Sequence, residues 1–413
     1  MIDSGDTGFM MICAMLVLLM TPGLAFFYGG MVARKNVVNT IMTSMFVIGI
    51  ASTMWVLFGY SLAFGKDHFG IIGDFSWIGL QGVDSTIGPY ASTIPHLGFS
   101  TFQMMFAIIT PALITGAVAG RMKFKALLIF IIAWSTIVYY PMAHMVWGIG
   151  GFLVEIGSID FAGGNVVHIS SGISAFVLCL FLGKRQGYDQ VKYRIHNIPL
   201  VVLGTGLLLF GWLGFNGGSA LKADGLAIHA MMTSMASAGG AMVSWMIIEI
   251  LHEGKPTLIG ACTGLVVGLV SITPGAGFVP IWSALLIGAI GSLVCYLMIS
   301  KVKKKFGYDD ALDAFGCHGV GGIWGGIATG IFTQTSINDI ARWNGLLYGE
   351  IQLFVVQILS ILVTIVVAVI GTLLCIGIVR LFTELRVSKK EELIGLDISQ
   401  HNENAYPSFT GFD

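Results

Sequence analysis

The chain has 413 residues, of which 55% are hydrophobic and 10% charged, too little charge to cover the surface of a water-soluble protein of this length. A net charge of −1 lacks the basic surface that nucleic acid requires. The six cysteines, Cys13, Cys179, Cys262, Cys295, Cys317 and Cys375, sit in apolar runs without paired spacing, so they read as small core residues, with no disulfide framework and no metal site.

Apolar segments of about 20 residues, the length that carries a helix across a bilayer, recur from end to end. In chain order they fall at 7–32, 37–64, 97–119, 124–142, 163–182, 198–218, 226–251, 257–273, 279–300, 314–332 and 349–382. These predict an all-α, polytopic membrane protein with eleven transmembrane helices. The opening "MIDSGDTGFM" lacks the basic start of a cleaved signal peptide. After the fourth span, "YYPMAHMVWGIGGF" reads as a re-entrant or broken piece. His144 within it and His229 at the start of the seventh span read as structural. His68, His96 and His196 fall in predicted loops and are assigned no role.

Basic residues are retained on the cytoplasmic side of a membrane. With eleven spans the loops alternate between two sets. One holds Arg34, Lys35, Arg121, Lys123, Lys125, Lys184, Arg185, Lys192, Arg194, Lys255, Lys301, Lys303, Lys304, Lys305, Arg380, Arg386, Lys389 and Lys390. The other holds only Lys66, Lys222 and Arg342. One missed or extra span would scramble that asymmetry, which puts the N-terminus outside and the C-terminus in the cytoplasm.

Histidines inside spans are costly and face a cavity or a partner. "DFAGGNVVH" (160–168) places Asp160 eight residues before His168 in the fifth span. "DDALDAFGCHGVGG" (309–322) places Asp310 eight residues before His318 in the tenth. Two five-span halves, each odd in number, enter the membrane with opposite polarity. The predicted plan is therefore two inverted five-helix halves plus a final helix, with the site at their interface near the midplane.

Aromatic and hydroxyl residues complete the constellation. In "GWLGFNGGS" Trp212, Phe215 and Ser219 fall at i, i+3 and i+7, on one helix face. Phe102 and Phe106 are i and i+4 on the third span, and Trp147 stands near the outer end of the fourth. Such stripes serve packing in most helices. Aromatic faces also attract a cation, a serine hydroxyl supplies an acceptor, and an imidazole can take or give a proton. A small cation that is also a proton donor fits all three. Asp160, just before the fifth helix, suits a cap on free backbone N–H groups or a direct cation contact.

"DFAGGNVVHISSGISA" and "DAFGCHGVGGIWGG" resemble the signature segments of the ammonium transporter (Amt/Rhesus) family, prokaryotic Amt type, and the resemblance runs over essentially the whole length. It implies eleven helices, a homotrimer with one pore per subunit, and uptake of ammonium or methylammonium without a cofactor. It assigns an outer cation site to Phe106, Trp147 and Ser219, with Asp160 nearby. It makes Phe106 and Phe215 a stacked gate, and His168 and His318 a hydrogen-bonded pair lining the pore, with Trp212 close to His318. Ammonium and potassium have nearly the same radius, so discrimination must come from ammonium's four N–H donors. Two neutral histidines sharing one proton would relay deprotonation, or contact the uncharged amine, in a pore too apolar for a bare charge.

From Arg380 the composition turns polar, which divides the chain into a transmembrane domain (1–384) and a cytoplasmic tail (385–413). "EELIGLD" and "AYPSFTGF" carry apolar and aromatic residues that a plain linker would lack. "GLDISQHNENAY" resembles the family's regulatory tail, which packs beneath the pores and meets a PII-type signalling protein. The family has Gly after the histidine where this chain has Asn402, a residue that also tolerates the left-handed conformation. Two alternatives remain on the same fold: an ammonium sensor, or a secondary transporter of another small amine. The latter would need intramembrane carboxylates, and Glu249 is the main one available. A membrane enzyme with His168 and His318 as zinc ligands lacks a third ligand in the sequence.

Overall fold

The computed structural model describes residues 1–190 and 194–407. Lys192 of the basic loop set and residues 408–413 of the tail lie outside them. Among the described residues, nine helices are long and apolar enough to cross a bilayer. They are α1 (Ser4–Met31), α2 (Arg34–Phe64), α3 (His96–Val118), α4 (124–147 of the stretch Phe124–Glu155), α5 (Gly164–Leu182), α6 (Ile198–Gly218), α7 (Gly225–Glu253), α9 (Ile281–Phe306) and α11 (Gln352–Phe382). Two shorter apolar helices, α8 (Leu258–Ile272) and α10 (315–332), complete eleven. The only paired strands among the described residues are the two-residue Asp67–His68 and Ile72–Gly73, in the loop after α2.

The sequence boundaries hold within a few residues except at two places. The "YYPMAHMVWGIGGF" stretch is neither re-entrant nor broken at its start, because α4 runs on to Trp147 before stopping at Gly148. Pro141 lacks an N–H and would clash with the carbonyl of a regular turn. A widened π turn at Ser135–Tyr139 relieves both problems, so the helix continues. The ninth span runs beyond the predicted 300, through a second widened turn at Met298–Val302, to Phe306.

Lipid gives helices no hydrophobic reason to associate, so close van der Waals approach does the work. The first helices of the two halves, α1 and α6, meet through glycines. A Cβ on Gly204 would overlap the Phe27 backbone nitrogen, and one on Gly30 would lie 2.8 Å from the Val201 nitrogen. All six cysteines are buried and none is in a disulfide.

The two acid–histidine segments adopt one local structure twice. Asp160 Oδ1 accepts from Gly163 and Gly164 N (2.9 and 2.6 Å) and its Oδ2 from Asn165 N (2.7 Å). Asp310 Oδ1 accepts from Ala314 N (3.1 Å) and its Oδ2 from Phe315 N (2.8 Å). Each aspartate thus caps a π turn, Gly164–Ile169 or Phe315–Gly319, and each π turn carries its histidine. The echo in the sequence is the inverted repeat of the fold.

Past α11 the chain folds back on the surface where α1 ends and α2 begins. Lys123 N donates to Leu385 O (2.9 Å) and Val387 N to Arg121 O (3.0 Å). Two short helices follow, α12 (Lys389–Ile394) and α13 (Leu396–His401). Lys35 Nζ donates to the Glu392 and Leu393 carbonyls (2.8 and 2.7 Å), the C-terminal end of α12. Leu396 N donates to Asn36 Oδ1 and Asn39 N to Asp397 Oδ1 (2.9 and 2.8 Å). Asn402 ends α13 at φ 55°, ψ 34°, the left-handed conformation that asparagine tolerates in place of glycine.

Candidate functional site

Two cavities lie in line along the interface between the halves. The first, about 300 Å³, opens on the face opposite the tail and is lined by Phe106, Trp147, Asp160 and Ser219 among others. The second is much smaller, about 10 Å³, and is lined by His168, His318, Trp212 and Phe215 with aliphatic residues such as Leu24 and Val266. Phe106 lines the first but not the second, and Phe215 the second but not the first. The two rings pack at 4.3 Å between centroids, tilted by 34°. That pair is the partition.

Each wall of the outer cavity has an evident cause. Trp147 meets Phe106 edge to face at 5.8 Å, and its Nε1 donates to the Asp160 carbonyl at 2.9 Å. Ser219 Oγ spends its proton on the Phe215 carbonyl one turn back (2.8 Å), so its lone pairs remain for an incoming donor. Asp160 borders the cavity, but the N–H groups of its own turn occupy its carboxylate. Burial pushes that carboxyl up, while those N–H groups pull it down by favouring the charged form. Phe102 packs on Phe106 at 5.0 Å, and a Cβ on Gly218 would lie 2.7 Å from its ring; it supports the wall from behind.

In the inner cavity His168 and His318 face each other with Nδ1 atoms 3.3 Å apart. Only one proton can lie between two such nitrogens, so one ring donates and the other accepts. Both histidines are buried, and His168 Nε2 is enclosed without a hydrogen-bond partner among the described residues. Trp212 lies against His168, with centroids 5.4 Å apart and planes 24° apart, so its ring contact is with that member of the pair. Its Nε1 donates to Thr273 Oγ1 (3.0 Å). Small residues permit the approach of the two segments. A Cβ on Gly172, one turn past His168, would overlap the Gly319 nitrogen. One on Gly322, one turn past His318, would lie 3.1 Å from His168 Cβ.

Four other histidines and Glu249 are held by hydrogen bonds away from the two cavities. His144 bonds the Ala63 carbonyl and Asp67 Oδ1 (3.1 and 2.9 Å), and His229 Nε2 meets the Val279 carbonyl at 2.9 Å. His96 is not in a loop. It is the first residue of α3, buried, with Nε2 2.6 Å from Tyr60 Oη. His196 bonds the Val32 carbonyl at 3.0 Å, and Tyr406 of the tail lies against it (3.3 Å). Glu249 accepts from Thr257 N and Oγ1 (2.7 and 3.0 Å) at the start of α8. The sequence reading passed over Thr273, Gly172, Gly322 and Gln103, a polar residue on the outer cavity wall. The signal for Gln103 was its place inside "FQMMF", as the one amide on a span whose other polar residues are hydroxyls and the first-turn His96.

A family model described as Ammonium Transporter Family matches residues 8–406. The chain belongs to the ammonium transporter family. An ammonium transporter of Bacillus subtilis (strain 168) is 51% identical over 97% of this chain and 98% of its own length. The ammonium transporter Amt1 of Archaeoglobus fulgidus is 43% identical over 98% and 100%. The crystal structure of Saccharomyces cerevisiae Mep2 aligns at TM-score 0.90 with 34% identity, covering 100% of this chain and 93% of that one. A structure titled Sensor Amt Protein aligns at 0.87 with 28% identity, covering 96% and 98%. A transporter of this family is a multi-pass membrane protein, and the eleven apolar helices agree with that membership.

Proposed function

We propose that the chain takes up ammonium by recruiting NH4+ at Phe106, Trp147 and Ser219 and passing it through the His168–His318 cavity, deprotonated or by a relay on the histidine pair. The observation that carries this is the in-line order of the parts: a roomy cavity with aromatic walls and a free hydroxyl acceptor, a two-ring partition, then a cavity too small for a hydrated ion. In the outer cavity the rings of Phe106 and Trp147 attract any small cation. Ser219 Oγ rewards one that donates a hydrogen bond, and the Asp160 carboxylate adds negative potential. The Phe106–Phe215 contact must open for passage. Beyond it an apolar wall makes a bare charge expensive, while the two imidazoles can hold a proton and exchange donor and acceptor roles. Trp212 fixes the His168 ring plane from the side.

The N-terminus lies outside and the tail in the cytoplasm, in keeping with the basic residues concentrated on the tail's face. Three chains form the working unit, one pore in each. The folded tail, held by Lys35, Asn36 and Asn39, is the docking element for a PII-type signalling protein, and 385–413 acts as a regulatory unit. A sensing role is a second reading, favoured by the likeness to the structure titled Sensor Amt Protein. A coupled secondary transporter is disfavoured because Glu249, its best carboxylate, is spent on the cap of α8.

The test is uptake into vesicles containing the purified protein. Methylammonium enters faster than into protein-free vesicles, and ammonium competes with it. Uptake equal to that of protein-free vesicles overturns the reading.

A further inference from the structure

Gln103 stands on α3 one turn before Phe106, and both line the outer cavity. Phe99, one turn further back, lines it too, so Gln103 is the polar member of an otherwise aromatic strip. The residue is 8% exposed, and its Oε1 is enclosed without a hydrogen-bond donor among the described residues. An amide oxygen buried unpaired is costly, and polar side chains within spans mark function. Asn338 also lines this cavity with an enclosed, unpaired atom, its Nδ2. Its amide is fixed differently: Oδ1 accepts from Ile340 N at 3.2 Å, which leaves a donor that a cation cannot use. No such bond holds Gln103 Oε1, and the terminal torsion of Gln is broad and two-fold.

We propose that Gln103 is a specificity-determining residue of the outer site, turning its amide oxygen into the cavity to accept an N–H of ammonium beside Ser219. The inference rests on the outer cation site proposed above. Its chemistry follows from counting donors. Ammonium brings four N–H groups, Ser219 Oγ takes one, and the ring faces of Phe106 and Trp147 are weak acceptors. A second side-chain oxygen meets a donor that would otherwise go unpaired, and a hydrogen bond to a charged donor is among the stronger kinds.

Ammonium uptake by vesicles carrying wild type, Gln103→Leu and Gln103→Glu separates acceptor from packing. Gln103→Leu keeps the volume but removes the oxygen; the apparent KM for ammonium rises about tenfold with maximal flux retained. Gln103→Glu restores an acceptor of the same length, and KM returns to the wild-type value or below it. A wild-type KM in Gln103→Leu, or an equal rise in both variants, overturns the inference. Should Gln103→Leu not reach the membrane, Gln103→Met takes its place under the same criteria. Wild-type vesicles without ammonium uptake would refute the outer site itself, an outcome distinct from failure of the Gln103 assignment.

Discussion

Replacing Gly172 by alanine adds one methyl group at the closest approach of the two halves. That methyl overlaps the Gly319 backbone nitrogen and sits 3.0 Å from the His318 carbonyl carbon. Carbon atoms in ordinary contact stand about 3.5–4.0 Å apart, so the His318 segment must retreat by about 0.5–1 Å from that contact alone. The Nδ1 atoms of His168 and His318, now at 3.3 Å, then pass beyond hydrogen-bond reach. Overpacking of this kind costs about 1–3 kcal/mol, partly offset by alanine's helix preference of up to about 1 kcal/mol over glycine. Loss of the bond, worth about 0.5–1.5 kcal/mol, slows a step that uses the pair by a factor of about 2 to 10. Gly322→Ala is the internal control. Its Cβ meets Ile169 Cγ1 at 3.0 Å, His168 Cβ at 3.1 Å and Ile169 N at 3.2 Å, contacts that yield with a few tenths of an ångström, so it too presses on the pair but less than Gly172→Ala. Thermal unfolding and ammonium flux into vesicles should both rank wild type first, Gly322→Ala second and Gly172→Ala last. Wild-type flux and stability in Gly172→Ala would refute the argument that this glycine sets the spacing of the histidines.

Three further outcomes follow from the same geometry. His168→Ala and His318→Ala should each impair ammonium flux, and the double variant should cost little more than either alone, because each ring serves through the other; additive losses would mean that the 3.3 Å contact carries no shared proton. Phe215→Ala removes the ring that borders the inner cavity, so ammonium flux and its selectivity over potassium should change while the protein remains folded; unchanged transport with reduced thermal stability would assign Phe215 to packing. The tail should loosen on acidification. Burial holds His401 below its ordinary value, against the opposing pull of Asp397 and Glu403, and Asn39 Nδ2 lies 2.9 Å from its Nε2. The released tail therefore binds the proton better, so docking is at full strength above about pH 6.5 and weakens as pH falls below it. Hydrogen exchange in 389–401 should rise from pH 7 to about 5.5, and pH-independent protection would contradict this.

The eleven helices were legible because a bilayer demands long apolar runs and because the basic residues check their number. The acid–histidine echo was legible as a repeat, since its eight-residue spacing survives in both halves. Its physical basis was not, because a π turn leaves no hydropathy signal. The same blindness made Pro141 look like a break, when a widened turn upstream absorbs it. Helical spacing grouped Trp212, Phe215 and Ser219 on one span and Phe102 with Phe106 on another, and only the family resemblance joined Phe106 to Phe215 and Ser219. Which side of the partition each one faces depends on how α3 and α6 cross, and that is a tertiary fact. His96 was misplaced because "STIPHLGFS" carries loop residues up to the first turn of α3, and its partner Tyr60 is remote in sequence. The glycines that set the distance between His168 and His318 were visible as composition, but many of the 56 glycines make approaches as close, Gly204, Gly288 and Gly325 among them, so nothing in the sequence singled these two out.

Selection of a proton-donating cation over one of equal size is the central claim, and paired fluxes in one preparation test it most directly. Vesicles containing the wild-type chain are exposed to equal inward gradients of ammonium and of potassium, with internal pH and volume followed on mixing. The account predicts rapid protein-dependent entry of ammonium, and potassium entry no faster than into protein-free vesicles. Comparable protein-dependent entry of both would contradict it.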